Sequence, residues 1–245
     1  MVNSTPFRKR LSGALRRLST RPLMPGRCLF CSMPSADDID ICAPCRADLP
    51  WLEPGCRRCA LPLPDPEESE LCGRCLIDPP AFQRTEACWL YRPPLARAIA
   101  TFKYHRNLGY GRSLGILMAD RIASAYSHGA AADFITSVPL HLRRRLRRGF
   151  NQSEMIAQLL AGQLQLPYRP LLKRTRATPA QQTLDAEDRY HNLKNAFRSK
   201  PLRGETVAVV DDVMTTGATA DEVSRCLLAA GAGEVHIWCL ARTPL

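Results

Sequence analysis

This chain of 245 residues contains two groups of residues whose types and spacing are suited to binding a ligand or a metal. The first is the stretch VAVVDDVMTTGAT, residues 207 to 219, in which two adjacent carboxylates, Asp211 and Asp212, follow four apolar residues. The apolar run predicts a buried strand, and the residues after the stretch predict a helix. Because ligands of open α/β sheets bind outside the carboxyl ends of the strands, we expect the two acids to face a ligand.

The turn between this strand and this helix is suited to a phosphate. A helix N-terminus offers unpaired backbone N–H groups and partial positive charge, and both favour an anion. Gly217 lets the backbone approach closely, and hydroxyls come from Thr215, Thr216 and Thr219. Sugar hydroxyls or Mg²⁺ would satisfy the carboxylates, so a ribose 5-phosphate fits both halves. The alternatives are simple capping of a turn and a helix, and a metal-binding pair for phosphoryl transfer.

The second group is a set of cysteines. Eight of the eleven cysteines form four Cys-x-x-Cys pairs, and two such pairs complete a tetrahedral Cys₄ zinc site. Sequential pairing gives two structural zinc sites, although an interleaved arrangement stays open; their ligands are Cys28, Cys31, Cys42 and Cys45, then Cys56, Cys59, Cys72 and Cys75. The segments between the pairs have too few large apolar residues to fold without metal. A redox role for a single pair is the minor alternative.

Strand and helix patterns alternate through the rest of the chain. Strands are predicted at 84–91, at 132–140 and in the final EVHIWCLA, with amphipathic helices between them and Gly231 ending the last helix. This alternation indicates a parallel sheet with helices on both faces. The polar stretch 174–197 is long for a connection in a compact domain, which indicates a lid or a binding loop.

The net charge of +11 predicts attraction to phosphates, nucleic acid or an anionic surface. Residues 1–27 hold seven of the basic residues and no acid, and we expect a loosely ordered basic tail there. Docking to nucleic acid or membrane, and organelle targeting, are alternatives for this tail. The sequence contains no secretory signal and no apolar run long enough for a membrane span, so we expect a cytoplasmic protein.

The stretch 207–219 closely resembles the 5-phosphoribosyl-1-pyrophosphate (PRPP) binding motif of type I phosphoribosyltransferases, and all thirteen positions fit. The resemblance implies that Asp211 and Asp212 hold the ribose hydroxyls, that Thr215, Thr216, Gly217, Ala218 and Thr219 hold the 5-phosphate, and that Mg²⁺ accompanies PRPP. The sequences VPLHLRRRLRRGFNQSE, FKY at 102–104 and R-x-T-x-x-Q at 176–181 resemble the ComF family. Proteins of that family have a double zinc ribbon before a phosphoribosyltransferase-like domain, and this chain has a similar order of segments.

The resemblance also implies contacts outside the motif. The turn at Pro139 and His141 is similar to the loop that cradles pyrophosphate, and an arginine cluster follows it, comprising Arg143, Arg144, Arg145, Arg147 and Arg148. A solvated basic helix face explains that cluster equally well, so we expect one or two site residues there, with Arg148 foremost. The stretch 174–197 resembles a loop that closes over PRPP, with Arg176, Gln181 and Arg189 as candidates. Lys103 of the FKY sequence is a further candidate for an anion.

These observations predict a type I phosphoribosyltransferase-like sheet at 84–245 after a double zinc ribbon at 28–78. The function we expect is ComF-like PRPP binding linked to competence and DNA uptake or to nucleotide metabolism. One alternative is an active transferase that moves ribose 5-phosphate onto a base or amine. Its acceptor would bind a hood within 84–130, where no residue indicates a particular base. The others are a PRPP-sensing regulator and a protein that binds single-stranded DNA without turnover.

Overall fold

The computed structural model describes residues 26–35, 39–65, 68–127, 132–141, 145–146, 148–175 and 195–244. Predictions for the basic tail before residue 26 and for Arg143, Arg144, Arg147, Arg176, Gln181 and Arg189 fall outside the described residues. The chain divides into two compact units, Met1–Asp48 and Leu49–Leu245. In the described ranges, no helix has both the length and the apolar character needed to cross a membrane.

The first unit contains one zinc ribbon. Strands β1 (Gly26–Arg27) and β2 (Pro34–Ser35) pair antiparallel, and the short helix α1 (Ala43–Ala47) begins directly after Cys42. The first cysteine pair turns tightly, because the Ser32 N–H donates to the Cys28 carbonyl at 2.8 Å. Ser32 has a φ of 62°, which reverses the chain after the second cysteine of the pair.

The second unit begins with a ribbon of the same local geometry. The Ala60 N–H donates to the Cys56 carbonyl at 2.7 Å, Ala60 has a φ of 54°, and α2 (Gly73–Ile77) begins directly after Cys72. The position of Ala60 after its cysteine pair matches that of Ser32 in the first ribbon. The two ribbons therefore repeat one design: a tight turn carries the first cysteine pair, and the start of a short helix carries the second.

A four-stranded parallel sheet forms the centre of the second unit. Its strands are β3 (Arg84–Leu90), β4 (Phe134–Ser137), β7 (Thr206–Met214) and β8 (Glu234–Arg242), in the order β3-β8-β7-β4. The inner strands are apolar over almost their whole length because both faces of the sheet are covered. This arrangement confirms the predicted fold class.

Helices cover both faces of this sheet, and they are α3 (Leu95–His105), α4 (Leu108–Ala125), α5 (Gln152–Leu164) and α6 (Ala218–Ala229). On one face, Val207 and Val209 share a buried cluster with Val223 of α6. On the other face, the indole N–H of Trp238 donates to the Tyr126 hydroxyl at 3.3 Å, at the end of α4. Side chains of a strand alternate between faces, which explains this division.

The second ribbon is continuous with the core of the sheet. The Leu52 N–H donates to the Cys88 carbonyl of β3 at 2.9 Å, and the Thr85 hydroxyl donates to the Arg58 carbonyl at 2.6 Å. The sequence predicted one double-ribbon domain at 28–78, whereas the structure groups everything from Leu49 onward with the sheet. A ribbon this small has too few apolar residues for a core of its own, so it packs against β3. Its composition alone does not predict this packing. The bounds 28–78 and 84–245 stay predictions.

A short antiparallel pair supports the two ends of the predicted closing loop. Strand β5 (Leu172–Arg174) pairs with β6 (Phe197–Ser199), and the Thr175 N–H donates to the Ala196 carbonyl at 2.8 Å. The residues between 175 and 195 lie outside the described part of the chain. The pairing of β5 with β6 therefore places residues 175 and 195, the two ends of the predicted loop, next to each other.

Candidate functional site

A cavity of about 430 Å³ lies at the carboxyl ends of β4 and β7. It brings together all seven residues predicted from the motif, which are Asp211, Asp212, Thr215, Thr216, Gly217, Ala218 and Thr219. Lys103 from α3 and Arg148 from the segment before α5 also line it. Pro139 and Leu140 line it as well, but His141, the next residue, is not among the described lining residues.

Asp211 is a partly buried carboxyl group that accepts hydrogen bonds from two sides. The Ser153 hydroxyl donates to its Oδ1 at 3.0 Å, and the N–H of Asp212 donates to the same oxygen at 2.8 Å. Burial raises the pKa of Asp211 to about 7, and the neighbouring charge of Asp212 adds to that increase. Ser153 lies in the first turn of α5, so the packing of this helix on the sheet brings the hydroxyl to the carboxyl group.

Lys103 supplies a positive charge beside the acid pair. Its Nζ lies 2.9 Å from Oδ1 of Asp212, with side chains only 16% and 14% exposed. Burial opposes a charged ammonium here, but the Asp212 carboxylate outweighs it and raises the pKa of Lys103. The ammonium compensates the charge of the Asp212 carboxylate, and both side chains still line an open cavity.

The turn after the acids has a conformation that depends on glycine. Gly217 has a φ of 86° and stands directly before the first residue of α6, and the Asp221 N–H donates to its carbonyl at 2.8 Å. A Cβ at this position would also approach the Met214 Cε to 3.0 Å. The helix therefore starts against the cavity, with its first N–H groups beside residues 215 to 219.

The buried polar atoms of the lining include two that have no hydrogen-bond partner among the described residues. They are Thr243 Oγ1 and Arg148 Nε, and both residues line the cavity. The rest of the Arg148 guanidinium is engaged, since Nη1 donates to the Gln152 side-chain oxygen at 3.2 Å and the group stacks 5.0 Å from the Tyr104 ring centroid. Buried polar atoms are normally paired, so these two are suited to a polar ligand.

The residues that the sequence did not predict as part of the site include Ser153, Thr243 and Arg242. Ser153 lies in the GFNQSE stretch and has no distinguishing neighbour, so only the fold brings it to Asp211. Arg242 ends β8, is 1% exposed and donates to the carbonyls of Met214 and Thr215. A signal for Arg242 existed, because a charged residue in a buried strand is as unusual there as Asp211 is within β7.

The eight paired cysteines form two Cys₄ clusters in sequential order, Cys28, Cys31, Cys42 and Cys45, then Cys56, Cys59, Cys72 and Cys75. Within each cluster all sulfur atoms lie within 4.8 Å of one another. The Sγ atoms of Cys31 and Cys42 are 3.6 Å apart, as are those of Cys59 and Cys72. A tetrahedral Zn²⁺ with Zn–S bonds near 2.3 Å separates its sulfurs by about 3.8 Å. The clusters therefore fit structural zinc.

Backbone N–H groups favour the thiolate at Cys56, one ligand of the second cluster, whereas burial raises the pKa of Cys59 and Cys75 in the same cluster. Burial works against a charged sulfur at Cys56, but the N–H groups of Cys72, Cys59 and Arg58 outweigh it and lower the pKa of Cys56 to about 7. A thiol that ionises near neutral pH binds metal with a smaller cost of deprotonation.

Comparisons with known proteins agree with both parts of this description. Residues 20–76 match a double zinc ribbon domain, and residues 151–244 match a phosphoribosyl transferase domain. DNA utilization protein YhgH of Salmonella typhimurium is 40% identical over 225 residues, which cover 90% of this chain and 98% of that protein. Competence protein F of Haemophilus influenzae is 36% identical over 178 residues, 70% of this chain and 78% of that protein.

The fold and the clusters thus define a double zinc ribbon followed by a type I phosphoribosyltransferase-like domain. The chain belongs to the ComF family.

Proposed function

We propose that this protein binds PRPP, or a closely related phosphoribosyl ligand, in the cavity at the carboxyl end of β7. The observation that carries the proposal is that one cavity is lined by the acid pair, the 215–219 turn and the cationic side chains of Lys103, Arg148 and Arg174. A sugar bearing a phosphate on one side and a pyrophosphate on the other requires these three chemistries together. The volume of about 430 Å³ is within the usual range for small-molecule sites.

Each part of the ligand has a proposed partner. The carboxylates of Asp211 and Asp212 accept hydrogen bonds from the ribose hydroxyls, and the N–H groups and hydroxyls at Thr215, Thr216, Gly217, Ala218 and Thr219 hold the 5-phosphate. Arg148 and Lys103 attract the pyrophosphate, with His141, Arg176 and Gln181 as further candidates. Mg²⁺ prefers carboxylate and phosphate oxygens, which this site and its ligand would supply together.

Titration calorimetry with PRPP and Mg²⁺ tests the site. Asp212→Asn keeps the shape of the side chain but removes the charge, and we expect binding to be lost while circular dichroism stays unchanged. Asp120→Asn is the matched control, since Asp120 is an exposed aspartate on α4. Equal affinity in Asp212→Asn and the wild type would exclude the assignment.

Turnover is a separate question from binding. A panel of nucleobases and amines, incubated with PRPP and Mg²⁺, is monitored for pyrophosphate release. Release with one acceptor identifies a transferase and its substrate, whereas PRPP binding without any release indicates a PRPP-sensing protein. Asp212→Asn serves as the negative control in the same assay.

Handling of single-stranded DNA is a second candidate function. It is supported by the names of the relatives, DNA utilization protein and Competence protein F, and by the net charge of +11. Tyr104 is 51% exposed and carries the Arg148 guanidinium on its ring, an arrangement suited to base stacking beside phosphate contacts. Binding of an unstructured oligonucleotide is measured against salt. A steep loss of affinity supports phosphate contacts, and a shallow slope opposes them.

A further inference from the structure

One buried side chain joins the second zinc ribbon to the candidate phosphate turn. The guanidinium of Arg242 donates from Nε to the Cys59 carbonyl at 2.9 Å and from Nη1 to the Met214 carbonyl at 3.2 Å. The same Nη1 donates to the Thr215 carbonyl and to that of Thr243. Cys59 belongs to the second Cys₄ cluster, and Thr215 begins the turn. Arg242 therefore holds the cluster and the turn in one network of hydrogen bonds.

The charge of Arg242 has no carboxylate partner among the described residues. Arg242 is only 1% exposed, and an uncompensated buried cation is costly. Carbonyl oxygens compensate part of this cost. Four thiolates around one Zn²⁺ would keep a net negative charge, and the Cys59 carbonyl connects the guanidinium to a residue of that cluster. A loaded cluster would therefore place negative charge in the ribbon segment that contacts Arg242.

The turn depends on this network because cavities lie on both of its sides. Besides the ligand cavity, a second cavity of about 370 Å³ is lined by Cys59, Cys72 and Arg74 of the ribbon and by Met214, Thr216 and Gly217 of the turn. Close packing from the ribbon side is thus limited. The exposed Arg74 adds only a long hydrogen bond of 3.4 Å to the Thr216 carbonyl.

We propose that Arg242 is a positioning residue through which metal in the second Cys₄ cluster controls the conformation of the 215–219 turn. Metal fixes Cys59, the Cys59 carbonyl orients the guanidinium, and the guanidinium fixes the Met214 and Thr215 carbonyls. Loss of the second metal then weakens binding of a phosphorylated ligand. The identity of that ligand rests on the proposed function, but the coupling between cluster and turn does not.

Hydrogen–deuterium exchange tests the coupling without any ligand. Arg242→Lys keeps the charge but loses the planar fork that reaches several carbonyls, and Arg242→Met removes the charge. We expect the amides of residues 213 to 220 to exchange about tenfold faster in Arg242→Lys, the effect of losing a charged hydrogen bond. Arg225→Lys, which alters a half-exposed arginine paired with Asp221, is the control. Unchanged exchange in Arg242→Lys overturns the proposal. If Arg242→Met does not fold, the result for Arg242→Lys decides the test.

The rate of metal release from the second cluster is a second measurement. If Arg242 had only a structural role, PRPP would not change this rate through Arg242. Cys28→Ser with Cys31→Ser removes the first site, so a chelator assay reports only the second. In that background, PRPP should slow zinc release, and Arg242→Lys should abolish the slowing, because coupling between two sites is reciprocal. Slowing that persists in Arg242→Lys contradicts the proposal. If the wild type does not bind PRPP but Arg242→Lys still accelerates exchange, the proposed function fails, whereas the role of Arg242 in holding the turn stands.

Discussion

The ammonium of Lys103 lies 2.9 Å from the Asp212 carboxylate, although Lys103 is in the last turn of α3 and Asp212 is near the carboxyl end of β7. This contact connects the helix α3 to the ligand edge of the sheet. It also places a cation where two adjacent acids would otherwise repel each other, and its loss should have measurable consequences.

Lys103→Met should lower the free energy of unfolding by about 3 kcal/mol, because it leaves the Asp212 carboxylate poorly solvated and unpaired. Adding Asp212→Asn should restore much of the loss, since no unpaired charge then remains. Urea unfolding of the two single variants and the double variant gives the coupling energy as a double-mutant cycle. Strictly additive losses would show that the pair contributes nothing.

The raised pKa of Asp211 predicts that stability falls as the pH rises. A carboxyl group that ionises near pH 7 in the folded protein and near 3.8 when unfolded stabilises the fold at acid pH, below 3.8. That contribution is lost progressively up to about pH 7. Between pH 5 and pH 8 the loss should be about 3 kcal/mol, since each of the two pH units below the folded pKa contributes about 1.36 kcal/mol. Asp211→Asn should lack it, so the difference between the two urea-unfolding profiles isolates the group; parallel profiles would contradict the prediction.

Gly217→Ala should destabilise the protein by about 1 kcal/mol and weaken PRPP binding, because Gly217 has a φ of 86° and its Cβ would approach Met214. Gly162→Ala is a matched control inside α5, where an added Cβ meets nothing within 4 Å. That change should stabilise the helix by about 0.5–1 kcal/mol. Thermal unfolding and calorimetry measure both variants. Equal effects of the two substitutions would be evidence against a special backbone conformation at 217.

The two Cys₄ clusters predict two zinc ions per chain, measured by elemental analysis of the purified protein. Cys56→Ser should remove one ion and lower the melting temperature of the sheet domain, since the second ribbon shares its core. Tryptophan fluorescence reports that domain, because Trp51, Trp89 and Trp238 all lie within Leu49–Leu245. Cys226→Ser, which removes a thiol outside the clusters, should keep both ions. A single ion in the wild type would refute the double site.

Some features were predictable because their causes are local. A buried parallel strand needs a continuous apolar run, and residues 207–210 supply it. Gly217 was expected beside the phosphate turn, and a positive φ is what glycine tolerates best. Cysteine pairs two residues apart can turn onto one ion, so the eight ligands could be recognised. The sequential grouping of the clusters agrees with the simplest pairing that their spacing predicted.

The sequence by itself determined the strands, the acid pair, the turn that follows them and the zinc ligands, since each depends on residues a few positions apart. Only the tertiary structure decided that Lys103 meets Asp212, that Ser153 meets Asp211, and that Arg242 links Cys59 to the turn. It also decided that the second ribbon joins the sheet from Leu49 onward. Periodicity reveals which face of a helix or strand is buried, but the partner of that face depends on how distant elements pack.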